Sequence, residues 1–208
     1  MSRRHEILRR ATEVFEKKGV AQTSIGDIAE AVGIKREAIY YYFSNRREIL
    51  LEIILPLSRE LARNMDNILE SSQSAREKLQ AAIECHLHRY DPGYLEMTVA
   101  LREDHFFKKD KRLDELRMVW RSYTDGWENL IRQGQENGEF APDVAPKVVA
   151  YGILGMCNWL ARWFDPGGEV SIDEIIRTYS LVATVGLVRP ECTLKAELSQ
   201  PGQAMANG

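Results

Sequence analysis

The stretch TSIGDIAEAVGIKREAIYYYFSNRRE, residues 23–48, predicts two short helices joined by a tight turn. The first helix begins at Thr23 or Ser24, either of which can cap it, and ends at Gly33. Asp27 stands where a capping box usually has Glu, so we expect this cap to be approximate. The second helix is predicted over about residues 35–43, with Ile39 on its inward face.

The turn between these helices is short, so the two helices are expected to pack against each other at a large crossing angle. Ile34 can fill the angle between them, and Ala29 allows a close crossing. A helix-turn-helix has this geometry, and its second helix enters the major groove of DNA. Lys35, Arg36 and Glu37 begin the second helix and could therefore reach base edges. An ordinary helical hairpin with a solvated basic turn is the alternative.

Charge is unevenly distributed along the chain. The first 50 residues carry a net charge of +3, and the remaining 158 carry −6. A basic head on an acidic body is typical of a protein that touches phosphate with one end. Tyr41 and Tyr42 are expected on the exposed side of the second helix, where their hydroxyls could bind phosphate.

Apolar residues recur at helical spacing in the rest of the chain, which predicts an all-α protein. Short breaks containing Gly, Pro or Asn separate the predicted helices. Beyond the two helices above, these span about residues 3–18, 45–69, 75–90, 94–108, 111–137, 146–164 and 172–188. We divide the chain into a helix-turn-helix domain (1–47), a helical body (48–189) and a disordered tail (190–208).

The composition is that of a globular protein, and the longest uncharged stretch, residues 148–161, is shorter than the roughly 20 residues of a membrane-spanning helix. Three widely spaced cysteines suggest no disulfide framework and fit a reducing compartment. The N-terminus has no apolar segment after its basic residues, so no signal peptide is expected. We therefore expect a cytoplasmic protein with no membrane partner.

The helix-turn-helix region resembles the DNA-binding domain of the TetR family of bacterial regulators. The resemblance covers about residues 5–52. It is carried by Phe15, Gly19, residues 23–29, Gly33-Ile34, residues 39–43 and residues 45–48. The family often has His in place of Tyr42 and Lys in place of Arg46. The resemblance implies a nine-helix, Ω-shaped homodimer that binds palindromic operator DNA and holds a ligand in each body.

The resemblance also implies roles for residues of the helix-turn-helix. Lys35, Arg36 and Glu37 would face bases. The phosphate contacts would come from Thr23 or Ser24, Tyr40, Tyr41, Tyr42 and Arg46.

The last two predicted helices are apolar on more than one face, so each must be covered on two sides. Either they form a buried hairpin within one chain or they dock against a second copy. The resemblance favours a four-helix dimer interface. The residues assigned to it are Tyr151, Gly155, Trp163, Ile175, Ile176, Tyr179, Val182, Ala183 and Gly186.

Large aromatic and polar residues at helical spacing in the middle helices predict either plain core or a largely apolar ligand pocket. The pocket residues would be His86, Met97, Leu101, Arg102, Trp120, Tyr123, Trp127, Met156 and Trp159. Residues 159–168, with Ser171 and Tyr179, are similar to a TetR branch that regulates fatty-acid or steroid catabolism and senses acyl-CoA thioesters. This similarity implies an acyl-CoA or hydrophobic acid as inducer of a repressor.

Metal and enzyme chemistry find little support in the sequence. Cys85 and His88 could share a helix face with His105 nearby, but there is no C-x-x-C or second compact cluster. The chain has no G-x-S-x-G, phosphate-cradling glycine loop or H-E-x-x-H. Glu103 and Asp104 are neighbours that point about 100° apart on a helix, unlike a catalytic acid pair. We predict no metal, no cofactor and no enzymatic activity.

Overall fold

The computed structural model describes residues 2–88, 111–165 and 167–187. The regular elements in these ranges are helices, as the sequence predicted. The eight α-helices are α1 (Arg3–Lys18), α2 (Ile25–Val32), α3 (Arg36–Tyr40), α4 (Arg46–Glu70), α5 (Ala75–His88), α6 (Lys111–Glu136), α7 (Pro146–Asn158) and α8 (Ile172–Leu187). The helix predicted over about residues 94–108, sixth in chain order, and the predicted tail lie outside the described residues.

Helix α2 begins and ends as its sequence predicts, but its cap is better than expected. Ser24 Oγ accepts from the amide of Asp27 at 3.2 Å, and Asp27 Oδ2 accepts from the amide of Ser24 at 2.7 Å. The capping box is therefore complete, because the shorter Asp reaches the cap here as Glu usually does. Gly33 ends the helix in the left-handed conformation, with φ 74° and ψ 33°.

Helix α3 is shorter than predicted. It ends at Tyr40 instead of about residue 43, and Tyr41 and Tyr42 form a turn. The amides of Tyr42 and Phe43 both donate to the carbonyl of Ile39 at 2.9 Å. The chain must turn here because Asn45 already caps α4, its side-chain oxygen accepting from the amide of Glu48 at 3.0 Å.

Helices α1 to α3 form a head whose core continues into the body. Buried side chains of α1, α2 and α3 pack against Ile49 to Leu55 of α4. The same core contains Leu113 and Leu116 from the start of α6. Head and body therefore share apolar side chains and are not joined by a flexible linker.

A second core fills the body between α4, α5, α6, α7 and α8. It is built around Trp127 of α6 and includes Met65 of α4, Leu79 of α5, Ala150 of α7 and Ile175 of α8. Helix α4 runs from the head core to this second core and packs along α6 for much of its length. It continues through the exposed Pro56, so one helix contacts both ends of the molecule.

The segment predicted as one helix over residues 146–164 changes its winding part way. Helix α7 ends at Asn158, and Trp159–Arg162 continues as a 3₁₀ helix. The amide of Phe164 then donates to the carbonyl of Leu160 at 2.9 Å. Tighter winding of this kind is common at the C-terminus of an α-helix, where the last carbonyls lack α-helical partners.

Candidate functional site

The N-terminal end of α3 is presented to solvent. Lys35, Arg36 and Glu37 are all exposed, and Lys35 caps the helix without a side-chain hydrogen bond. Tyr41, in the turn after α3, is 85% exposed although its ring is large and partly apolar. An exposed basic helix end beside an exposed tyrosine is suited to contact a phosphate backbone and base edges.

Arg36 has a partner on its own helix that the sequence analysis did not identify. Its Nη2 donates to the hydroxyl of Tyr40 at 3.1 Å, and its Cζ lies 5.8 Å from the centroid of that ring. The hydrogen bond raises the pKa of Arg36. Tyr40, predicted as a phosphate ligand, therefore also orients the arginine predicted to read bases.

Two of the predicted phosphate ligands, Thr23 and Arg46, make hydrogen bonds to backbone carbonyls of their own chain. Thr23 is only 1% exposed, and its hydroxyl donates to the carbonyl of Gly19 at 2.8 Å. Its side chain cannot reach DNA, so the prediction is wrong for Thr23, whereas Ser24 is exposed. Arg46 donates to the carbonyls of Ala21, at 3.3 Å, and Thr23. It holds the loop between α1 and α2, a role its sequence position did not suggest.

Tyr42 is less accessible than predicted. Its ring is half-buried and packs against the head core, with Tyr41 edge-on at 5.0 Å between ring centroids. Tyr42 follows the buried Ile39 by three residues, a spacing that places both side chains on the same side of a helix.

An ion-pair cluster joins α1, α4 and α6. Arg4 pairs with Glu52, while Arg112 Nη1 lies 3.1 Å from Glu48 Oε1 and 3.7 Å from Glu52 Oε1. Burial would raise the pKa of Glu48, but hydrogen bonds from Ser44 and Arg112 outweigh it and lower that pKa. The cluster fixes the charged residues of three helices at the junction of head and body.

Helices α7 and α8 expose an apolar face. Gly152, Gly155 and Gly186 lie on these helices, and a Cβ at any of them would meet no atom within 4 Å. A groove of about 250 Å³ runs between the two helices, with Gly152, Gly186 and Met156 among its lining residues. The large apolar side chains exposed on these helices, on the 3₁₀ helix and at the residue that follows it are Val148, Tyr151, Trp159, Trp163, Leu181, Val182 and Val185.

Several residues that the sequence assigned to the dimer interface lie in the core, and one residue assigned to the ligand pocket lies on the surface. Ile175 and Ile176 were assigned to the dimer face but are buried in the core of their own chain, and Ala183 is almost as buried. Tyr179 is half-buried against that core. Trp159 was assigned to the ligand pocket but is 62% exposed on the outer surface. The apolar spacing of α8 was predicted correctly. Periodicity alone did not show which of these apolar residues face the core of their own chain and which are exposed.

Inside the body, α5, α6 and α7 bring four polar side chains together. His86 Nδ1 lies 2.9 Å from the hydroxyl of Tyr123, and Nε2 lies 3.2 Å from Asn158 Oδ1. With the Asn158 oxygen as acceptor, Nε2 carries the proton and Nδ1 accepts from Tyr123. Trp127 packs edge-on against both rings, at 6.2 Å between centroids in each case. We call His86, Tyr123, Trp127 and Asn158 the polar cluster.

The polar cluster carries no formal charge at neutral pH. Burial lowers the pKa of His86 to about 4, although the hydrogen bond with Asn158 acts in the opposite direction. The sequence analysis identified three members but missed Asn158, which lies 72 positions from His86. Only the crossing of α5 and α7 brings these two residues together.

Other predicted pocket residues lie elsewhere. The indole of Trp120 donates to Ser58 Oγ at 3.2 Å on the seam between α4 and α6, away from the polar cluster. Met156 lines the outer groove between α7 and α8. Met97, Leu101 and Arg102 lie outside the described residues, as does His105.

The described part of the chain contains no group of three or more His, Cys, Asp or Glu residues that could hold a metal ion. Within the same residues, the helices are too short or too polar for any of them to span a bilayer.

A helix-turn-helix exposed at one end of a helical body is typical of regulators that bind DNA and control transcription. Residues 7–53 match the family described as bacterial regulatory proteins, tetR family, and residues 72–187 match the tetracyclin repressor-like C-terminal domain. The second match covers more than half of the chain, and the chain belongs to the TetR family. It is a DNA-binding transcriptional regulator and not an enzyme.

Known relatives align along nearly the whole chain. The repressor KstR2 of Rhodococcus jostii is 25% identical over 90% of this chain and 92% of its own length. The structure of the ketosteroid regulator KstR2 of Mycobacterium tuberculosis has a TM-score of 0.79 at 23% identity, covering 90% and 96% of the two chains. AibR, solved with isovaleryl coenzyme A and operator DNA, has a TM-score of 0.72 at 21% identity, covering 87% and 97%.

The depressed pKa of His86 predicts a dependence of stability on pH. In the unfolded chain His86 takes up a proton near pH 6.5, whereas in the folded protein it does so only near 4. The folded state should therefore lose stability as the pH falls from about 6.5 to about 4, by an amount on the order of 1–3 kcal/mol. Below pH 4 His86 is protonated in both the folded and the unfolded state, so its effect on the free energy of unfolding should no longer change with pH.

Urea unfolding at a series of pH values measures this effect. Carboxylates also titrate near pH 4, so the matched control is His86→Gln, which has no proton to gain. The variant should show a shallower loss of stability between pH 6.5 and 4. Parallel curves for the two proteins would contradict a depressed pKa of His86 in the folded protein.

Proposed function

We propose that this regulator is a cytoplasmic homodimeric repressor that binds palindromic operator DNA and is released by a hydrophobic or acyl-CoA-type ligand. The observation that carries the proposal is the helix-turn-helix head whose core continues into α4 and α6 of the body. A ligand among the body helices can act on such a head through side-chain packing. The proposed division is a DNA-binding domain, residues 1–47, and a ligand-binding and dimerisation domain, residues 48–189.

The proposed DNA contacts follow from exposure. Lys35, Arg36 and Glu37 face bases, while Ser24, Tyr41 and the hydroxyl of Tyr40 are available to phosphates. Arg36 is the strongest candidate for base reading, since a guanidinium can pair in a bidentate manner with guanine in the major groove. Its contact with Tyr40 restricts its conformations before DNA arrives, which lowers the entropy lost on binding.

The proposed dimer forms through the outer face of α7 and α8. Tyr151, Trp163 and Val182 are large apolar side chains left exposed on that face, and exposed apolar patches of this kind mark interaction surfaces. The open glycines at 155 and 186 would let helices of a second copy approach closely. A two-fold dimer would present its two heads to the two half-sites of a palindrome.

The proposed ligand lies against the polar cluster. The ligand class is supported by the printed descriptions of the relatives, since AibR was solved with isovaleryl coenzyme A and KstR2 is described as a ketosteroid regulator. Helix α6 carries Arg112 at its N-terminal end and Tyr123 and Trp127 three to four turns farther along. Movement of α6 on ligand binding would therefore reach the ion pairs with Glu48 and Glu52 on α4.

Arg36→Ala should reduce discrimination between operator and random DNA. The lost base contact is worth about 1–3 kcal/mol at one base pair. The operator is first selected from a randomised duplex library, and affinity for it and for random DNA is then measured by fluorescence anisotropy at several salt concentrations. Arg36→Lys is the matched control, because it keeps the charge and the salt slope but loses the planar fork. Equal losses on both DNAs for Arg36→Ala would remove this residue from base reading.

Gly186→Glu should dissociate the dimer and weaken operator binding with it. The protomer tolerates a side chain here, since nothing lies within 4 Å of a Cβ at this position, but an unpaired charge would be buried at the interface. Sedimentation velocity at micromolar concentration measures the association state. Met118→Glu makes a comparable change at an exposed apolar site on α6 and should leave the dimer intact. Monomeric wild-type protein would contradict the proposed assembly.

Ligand and operator should weaken each other by the same factor. Coupling of about 1–3 kcal/mol corresponds to a change of about 5–150-fold in either affinity. Calorimetric titration of isovaleryl coenzyme A into the protein, with and without operator, gives one factor, and DNA titrations with and without the thioester give the other. Arg112→Gln should shrink both factors equally. Unchanged thioester affinity in the presence of operator would show that body and head are uncoupled.

A further inference from the structure

Residues 41–45, which join α3 to α4 and which we call the α3–α4 turn, are held by a carboxylate of α4. Glu48 Oε2 accepts from the amide of Ser44 at 2.7 Å, while the amide of Glu48 donates to the side chain of Asn45 at 3.0 Å. A glutamate three residues after an N-cap usually accepts from the amide of the cap itself. Here the carboxylate reaches one residue farther back, so Glu48 fixes the backbone of the turn as well as the start of α4.

The second oxygen of Glu48 is bound from the body. Arg112 Nη1, on α6, donates to Glu48 Oε1 at 3.1 Å and lies 3.7 Å from Glu52 Oε1. The Glu48 side chain is 16% exposed, so its hydrogen bonds are partly shielded from water and are stronger than those of a fully exposed pair. One carboxylate therefore has a donor from the α3–α4 turn on one oxygen and a donor from α6 on the other.

A second arginine of the ion-pair cluster holds the residue before Ser44. Arg4 of α1 pairs with Glu52, and its Cζ lies 4.5 Å from the centroid of the Phe43 ring. Phe43 is buried in the head core, and a guanidinium over an aromatic face is attracted by the ring. The cluster therefore contacts two consecutive residues of the α3–α4 turn, one through its side chain and the other through its backbone.

The α3–α4 turn also carries a side chain that is available to DNA. Tyr41 is 85% exposed and lies three residues before Ser44. The amides of Tyr42 and Phe43 both donate to the carbonyl of Ile39 at 2.9 Å, so the segment between Tyr41 and Ser44 is wound against the end of α3. A shift of Ser44 would be carried along this short segment to Tyr41. Hydrogen bonds weaken steeply when they are misaligned, so a small shift is enough to weaken a phosphate contact.

A purely stabilising role for Glu48 and Arg112 is the alternative. A second ion pair, between Arg59 and Glu115, joins the same two helices. Arg59 lies 13 residues after the start of α4, about 20 Å along the helix from the α3–α4 turn. Loss of this pair affects the packing of α4 on α6 without touching the turn, so Arg59 provides the matched control for Arg112.

We infer that Arg112 and Glu48 are positioning residues for operator binding. Arg112 holds the Glu48 carboxylate in place. Through the amide of Ser44, that carboxylate sets where Tyr41 meets the phosphate backbone. The inference rests on the phosphate contact proposed for Tyr41, and it concerns the protein without ligand. It assigns part of the affinity for DNA to a residue of the body, 64 positions from the carboxylate through which it acts.

Operator affinities of Arg112→Gln and Arg59→Gln test the inference. Both variants remove one positive charge and break ion pairing between α4 and α6. Arg112→Gln should weaken binding to the selected operator by about 5-fold, and Arg59→Gln by less than about 2-fold. Fluorescence anisotropy at several salt concentrations should give Arg112→Gln the salt slope of the wild type, because the contact that is lost belongs to the uncharged Tyr41. A slope lower by about one would make Arg112 itself a phosphate ligand and overturn the positioning role.

A double-mutant cycle identifies the route. Glu48→Gln keeps the size of the side chain but replaces one acceptor oxygen by a donor amide, so it loses one of the two contacts. In that background Arg112→Gln should change operator affinity by less than about 2-fold. Arg112→Lys, which keeps a charged donor for Oε1, should recover part of the wild-type affinity. Equal losses from Arg112→Gln in the wild-type and Glu48→Gln backgrounds would overturn a route through the carboxylate.

The amide signal of Ser44 reports the contact directly in nuclear magnetic resonance of the ¹⁵N-labelled full chain. An amide proton that donates to a carboxylate resonates downfield. The Ser44 proton should therefore move upfield in Arg112→Gln and in Glu48→Gln, and stay in place in Arg59→Gln. Circular dichroism melting curves establish that each variant is folded. An unmoved Ser44 signal in Arg112→Gln would overturn the inference even if operator binding weakened.

Tyr41→Phe separates failure of this inference from failure of the proposed phosphate contact. Weaker operator binding in Tyr41→Phe, without any effect of Arg112→Gln, would retain the contact and overturn the positioning role. A moved Ser44 signal and weaker binding in Arg112→Gln, with wild-type affinity in Tyr41→Phe, would support positioning of the turn and overturn the phosphate contact of Tyr41. These measurements use no ligand, so their outcome is independent of ligand-controlled release.

Discussion

Burial of the apolar side of α4 against α6 is the interaction on which the rest of this molecule depends. Helix α4 supplies Ile49 and Leu51 to the head core and Met65 to the body core. Helix α6 supplies Leu113 and Leu116 to the head core and Trp127, a member of the polar cluster, to the body core. Since apolar burial is the largest favourable contribution to folding, these shared side chains hold head and body in one arrangement.

Polar contacts between α4 and α6 require a more specific geometry than the apolar packing does. Arg112 contacts Glu48 and Glu52 at the head end, and Trp120 donates to Ser58 midway. Such contacts require defined positions of both helices, whereas apolar contact tolerates small sliding. A displacement of α6 would have to break or exchange them, so they are suited to distinguish two positions of the head.

The head and the polar cluster illustrate opposite uses of buried polar groups. In the head, Thr23 and Arg46 satisfy backbone groups of the loop before α2, and the result is a rigid support for α3. In the body, His86 is hydrogen-bonded to both Tyr123 and Asn158, while no acceptor lies within reach of the Trp127 indole N–H. A rigid head and an incomplete body interior are consistent with the proposed division between reading DNA and sensing a ligand.

The sequence by itself determined the helix-turn-helix and most helix boundaries, because caps, glycine stops and apolar spacing act within a few residues of each other. Ser24, Gly33 and Asn45 are local signals of this kind. Tertiary structure alone decided that Thr23 faces inward, that Ile175 and Ile176 belong to the core, that Trp159 lies outside and that Asn158 meets His86. These outcomes depend on which side of a helix another element covers, and on contacts between residues far apart in the chain, which local periodicity does not encode.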